Sequence, residues 1–121
     1  MDKLQALHSF WSGFGLTAYD ENTVPDNAQM PYITYGASVD GFGNTLNHSA
    51  SLWYYSNSWR DIALKEREIA EFISMGGKLV QYDDGAIWVQ KSTPWAQRLS
   101  DPSNYTIRRV VLNLSIEFLS Q

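Results

Sequence analysis

The sequence predicts an α+β fold: one mostly antiparallel sheet of about five strands packed against two helices, in the order α-β-β-α-β-β-β, with residues 1–121 forming a single domain. Three observations predict it. Residues 106–118 alternate Val110, Leu112, Leu114, Ile116 and Phe118 with Arg109, Asn113, Ser115 and Glu117, the period-two pattern of a strand with one buried and one wet face. Residues 59–73 place Trp59, Ile62, Ala63, Ile69, Ala70 and Ile73 along one side of a helix, with Lys65, Arg67, Glu68 and Glu71 on the other. Asp83-Asp84-Gly85 lies between two short runs rich in β-branched and aromatic residues, and Asp-Gly supplies the positive φ angles of a tight hairpin.

The remaining elements follow in chain order. Leu4, Leu7 and Trp11 recur at helical spacing and predict a first helix over about residues 3–13, with Gly13 and Gly15 available to end it. Residues 16–30 hold Asp20, Glu21, Asn22, Pro25, Asp26 and Asn27 without periodicity and read as a long connection. A strand is expected over 32–39, a hairpin loop at Asp40-Gly41-Phe42-Gly43-Asn44, and a second, antiparallel strand over 45–55. Ser58 and Asp61 have the spacing of a capping box opening the second helix, and Gly76-Gly77 is the expected stop. Strands over 79–82 and 86–90 flank the Asp-Gly turn, and residues 92–104, which carry Pro94 and Pro102, read as a second long loop containing Trp95 and Arg98.

Chemistry-bearing patterns are sparse. His8 and His48 do not fall in a metal-ligand spacing, and the chain has no cysteine, so neither disulfides, thiolate metal sites nor a Cys–His nucleophile can form within it. His8 and His48 are expected as surface or hydrogen-bonded polar groups. Asp83-Asp84 is explained by turn chemistry, and Asp20-Glu21 reads as an exposed pair in a polar loop. Gly13-Phe14-Gly15 and Gly41-Phe42-Gly43 lack the length of a phosphate-binding loop, and no GxSxG elbow is present. No catalytic, cofactor or metal site is therefore predicted.

Composition sets the remaining bounds. A net charge of −4 argues against broad binding to a phosphate backbone, and Arg108-Arg109, neighbours on a strand, point to opposite faces. No window approaches the roughly 20 apolar residues of a membrane span, and Met1-Asp2-Lys3-Leu4 does not open a signal peptide, so neither export nor a membrane is expected. Five Trp, seven Tyr and five Phe exceed what two helices and a small sheet need for a core, which directs attention to a binding surface. Trp95, Arg98 and Tyr105 are its candidates, through stacking and cation–π contact; pinning of the 92–104 loop by Trp95 is the competing structural role.

Several stretches resemble the small tail-completion or tail-terminator-like proteins of long-tailed bacteriophages and prophages of Gram-positive bacteria: Ala18-Tyr19-Asp20-Glu21-Asn22-Thr23-Val24-Pro25-Asp26, Met30-Pro31-Tyr32-Ile33-Thr34-Tyr35, Ser51-Leu52-Trp53-Tyr54, Gly76-Gly77 and Pro94-Trp95-Ala96-Gln97-Arg98. The resemblance implies a structural virion protein without an active site. It would assemble in the host cytoplasm as a homo-oligomeric ring, commonly a hexamer, that caps the tail tube. Its partners would be the tube protein and a head-completion or connector protein, with DNA passing through the ring and no sequence-specific binding. Expected contact residues are Asp40, Phe42 and Asn44 at the hairpin tip and Trp95, Arg98 and Asp101 in the second long segment. The competing readings are a head-completion or connector protein, a carbohydrate-binding module using exposed Trp and Tyr, and a small enzyme with an unfamiliar site.

Overall fold

The computed structural model describes residues 2–41, 43–83 and 85–119. Helix α1 (Lys3–Ser12) is followed by strands β1 (Thr17–Asp20), β2 (Tyr32–Tyr35) and β3 (Thr45–Tyr55). Helix α2 (Arg60–Ile73) then leads to β4 (Lys78–Tyr82), β5 (Gly85–Asp101) and β6 (Asn104–Phe118). The expected α+β class with two helices and a mostly antiparallel sheet stands; the single curled sheet has six strands, ordered β1-β2-β3-β6-β5-β4, and is mixed because the β1–β2 pair is parallel. The additional strand is β1, inside the segment expected to be a connection, and it runs parallel to β2 with Thr17 facing Tyr32 and Asp20 facing Tyr35. Four residues are too few to display a period, which is why the polar run after Asp20 dominates the sequence signal.

The second expected loop is also a strand. β5 continues through residues 92–101 beside β6, with an irregularity between Lys91 and Ala96. Lys91 faces Leu114 and Ala96 faces Leu112, so β5 takes five steps where β6 takes two, and its inward-facing positions change from odd to even numbers. Pro94 falls in this bulge, where a ladder N–H is not required. The expected β4–β5 hairpin forms, but Tyr82 pairs with Gly85, so Gly85 opens β5 and the link falls at Asp83 and Asp84, of which Asp84 lies outside the described residues. The strand expected over 32–39 stops at Tyr35, and Gly36 to Gly41 have no regular structure.

Both helices lie on one side of the sheet. Ile33 and Tyr35 of β2, Ala50 and Leu52 of β3, Ile87 and Val89 of β5 and the even-numbered residues 110–118 of β6 form one buried cluster with α1 and α2. α2 contributes Ile62, Ile69 and Ile73, the positions its sequence pattern marks. α1 contributes Ala6, Leu7, Phe10 and Trp11, whereas Leu4, expected on the buried side, is half exposed. α1 touches both edge strands, β1 and β4, so it spans the open side of the curl. Phe10 and Phe14 meet Phe72 of α2, which joins the two helices.

The helix ends differ from the sequence expectation. The capping box occurs at α1: the Asp2 carboxylate accepts from Gln5 N–H and the Gln5 side chain accepts from Asp2 N–H. At α2, Ser58 Oγ accepts from Arg60 N–H while Trp59 holds the cap position without a side-chain bond, so the expected Ser58/Asp61 box does not form. α2 stops at Ile73, ahead of the glycines, because Ser74 takes the positive φ of 66° and donates its N–H to Ala70 O. Gly77, at φ 88°, then serves the close approach of β4 to β5: an added Cβ would lie 2.9 Å from Val89 O.

Candidate functional site

In the paired strands, residues facing one another share a face, and this register leaves the second face of the sheet without a helix. Across it run Tyr19, Tyr32, Trp53, Arg109 and Leu99, from β1, β2, β3, β6 and β5 respectively. Their side chains form a ladder: Tyr19 meets Tyr32 edge to face at 5.6 Å, Tyr32 meets Trp53 at 6.3 Å, and the Arg109 guanidinium sits 4.7 Å from the Trp53 ring centre. Two buried hydroxyls hold it in place, as Trp53 Nε1 donates to Thr34 Oγ1 at 2.9 Å and Arg109 Nε donates to Ser51 Oγ at 3.1 Å. These anchors use the Trp53 N–H and one of the five Arg109 donors.

At the far end of the ladder, Trp53, Leu99, Asp101, Pro102, Ile107 and Arg109 line a hollow of about 310 Å³. Beside it the same face carries Tyr55, opposite Ile107, and Tyr105, two residues away on β6. Tyr55, Leu99 and Tyr105 are 66%, 46% and 72% exposed, three large apolar side chains gathered in one place. Asp101 is committed to the turn, accepting from Ser103 Oγ at 2.7 Å and Ser103 N–H at 2.8 Å, and these bonds, the hydroxyl first, hold its carboxyl below the usual carboxylate range.

A second aromatic and arginine cluster occupies the same end of the sheet on the helix side. The guanidiniums of Arg98 and Arg108 lie 5.1 and 5.0 Å from the Trp59 ring centre. Arg108 also donates to Ser56 O and Asn57 O, which fixes the link between β3 and α2. Arg108 and Arg109 thus face opposite ways, as strand geometry requires.

The six expected contact residues are dispersed. Asp40 and Asn44 are exposed near the opposite end of the sheet, where β3 begins, and Phe42 lies outside the described residues. Trp95 sits in the β5 bulge, packed on the core, with Nε1 donating to Glu66 Oε1 of α2 at 2.7 Å. This is a pinning role, though against a helix and not beneath a loop. Arg98 belongs to the Trp59 cluster, while Asp101 lines the hollow on the other face. Sequence reasoning missed Tyr19, Tyr32, Trp53 and Leu99 as one surface because their alignment is set by register between strands distant in the chain; odd numbering in 106–118 was the available clue for Ile107 and Arg109.

The histidines are hydrogen-bonded. His48, 4% exposed, accepts from Trp11 Nε1 through Nε2 at 3.0 Å, and burial lowers its pKa to about 4. His8 Nδ1 lies 3.0 Å from Tyr35 Oη and its Nε2 3.3 Å from Ser12 Oγ. Burial, followed by the Asp20 charge, raises the Tyr35 pKa. Among the described residues no three His, Cys, Asp or Glu side chains converge as a metal site, and no helix is long and apolar enough to cross a membrane.

No family model, no curated protein sequence and no solved structure matches this chain.

Proposed function

We propose that this chain is a structural subunit of a phage or prophage tail, a ring-forming terminator that caps the tail tube and presents a surface to the head. In this role it has no catalytic step to perform and takes no cofactor. The observation that carries the assembly part is the helix-free sheet face with its exposed end at Tyr55, Leu99 and Tyr105. A ladder of half-buried rings capped by a guanidinium, with apolar side chains at its end, has the aromatic and arginine character of protein-contact surfaces. A ring also requires unlike surfaces on one subunit, and a molecule with helices on one side and bare sheet on the other supplies them. The tail assignment rests on the sequence resemblance.

Deleting the gene from the parent phage or prophage and imaging the induced particles by electron microscopy tests this reading. Over-long, headless tails are expected. Normal free tails beside unattached heads would shift the role to a head-completion protein, and intact infectious particles would exclude both.

A further inference from the structure

The charges are divided between the two ends of the sheet. Four of the five arginines, Arg60, Arg98, Arg108 and Arg109, gather where β3 ends and α2 begins. Among the described residues none of the four is held in an ion pair with a carboxylate. The carboxylates at that end include Asp61, in the first turn of α2, Asp101, already engaged by Ser103, and Glu66, which shares a hollow with Arg98 and accepts from Trp95 Nε1. At the opposite end stand Asp2 before α1, Asp40 before β3, Glu117 opposite Thr45 and Asp83 in the β4–β5 turn, with Lys3 among them. The 11 residues of β3 separate the ends by about 33 Å, roughly four screening lengths at physiological salt. The two patches therefore act independently on whatever approaches them.

We infer that the arginine end of one copy receives the acidic end of a second copy, head to tail, with Val39-Asp40 of the second copy seated on the hollow beside Arg109. The inference rests on the assembly role proposed above. The hollow is lined by the apolar side chains of Leu99, Pro102, Ile107 and Trp53 and by Arg109, while Asp101, which also lines it, is engaged by Ser103, so it fits an apolar side chain followed directly by a carboxylate that meets the guanidinium. Val39 and Asp40 form such a pair on the described acidic end: Val39 is 45% exposed and Asp40 is exposed beside it. The Asp40 backbone is steadied by Lys3, whose Nζ donates to Asp40 O at 2.7 Å, and its Oδ1 accepts from Gly41 N–H. Among the described residues Arg109 donates through Nε alone, leaving its Nη groups for the incoming carboxylate. Such a contact joins two different surfaces, so repeating it closes a ring or extends a filament.

Sedimentation of Arg109→Glu, Asp40→Arg and their equimolar mixture tests this contact. The native chain should self-associate, and each reversal should weaken association at least about tenfold. In the mixture, copies of the two variants can alternate so that opposite charges meet at every contact, and association should return. Asp40 lies in an exposed segment, and unchanged circular dichroism of Asp40→Arg separates a lost contact from a lost fold. Val39→Ser gives a second, uncharged disruption. Reversals that leave association unchanged, a mixture that fails to recover, or a native chain that stays monomeric to roughly millimolar concentration would each overturn the contact. Intact infectious particles in the deletion experiment would instead overturn the assembly role on which it rests.

Discussion

Trp11 and His48 show how one buried pair can set a pH limit on the fold. The imidazole must remain neutral to accept from the indole N–H, and its burial lowers its pKa from the ordinary 6.5 to about 4. Between those values the unfolded chain binds a proton that the folded chain does not, so stability rises with pH across this window and is lost as pH falls through it. The total effect is on the order of 3 kcal/mol. Equilibrium denaturation from acid to neutral pH should show this rise, and His48→Gln, which retains an acceptor, should flatten it. At Trp95 the effect is local: Trp95→Phe removes the donor to Glu66 and should destabilise by about 1–3 kcal/mol in a urea titration.

Among the elements, β6 is the most constrained, paired along its length with β3 on one side and β5 on the other. Leu112 is fully buried at its centre, and Leu112→Ala should cost about 2–5 kcal/mol of stability, measured by denaturation. Gly77→Ala should also destabilise, by more than about 1 kcal/mol, because φ is 88° and the new Cβ would meet the Val89 carbonyl oxygen and the side chains of Trp88 and Gln90. β6 and α2 were legible in the sequence because each buries a face whose period persists over many residues. β1 was too short for a period, and β5 changed its inward parity at a bulge containing Pro94, so alternation and proline together suggested a loop. The contact surface was less legible than the fold. Its aromatic content could be counted, but the ladder from Tyr19 to Leu99 exists only through cross-strand register.

Over the whole molecule, the helices cover one side of a curled sheet and leave the other to bare aromatic, arginine and apolar side chains. The bare face accounts for aromatic rings beyond the needs of the core, and the division of charge along the strands lets a chain of net charge −4 present an arginine-rich end. It also ties the proposed tail role to one surface. The most direct test is hydroxyl-radical footprinting, read by mass spectrometry, of the free chain and of purified particles. The chain should be present in the particles, and Tyr55, Leu99 and Tyr105, exposed when it is free, should become protected there. Its absence from the particles, or equal oxidation of these residues in both states, would contradict the proposed role.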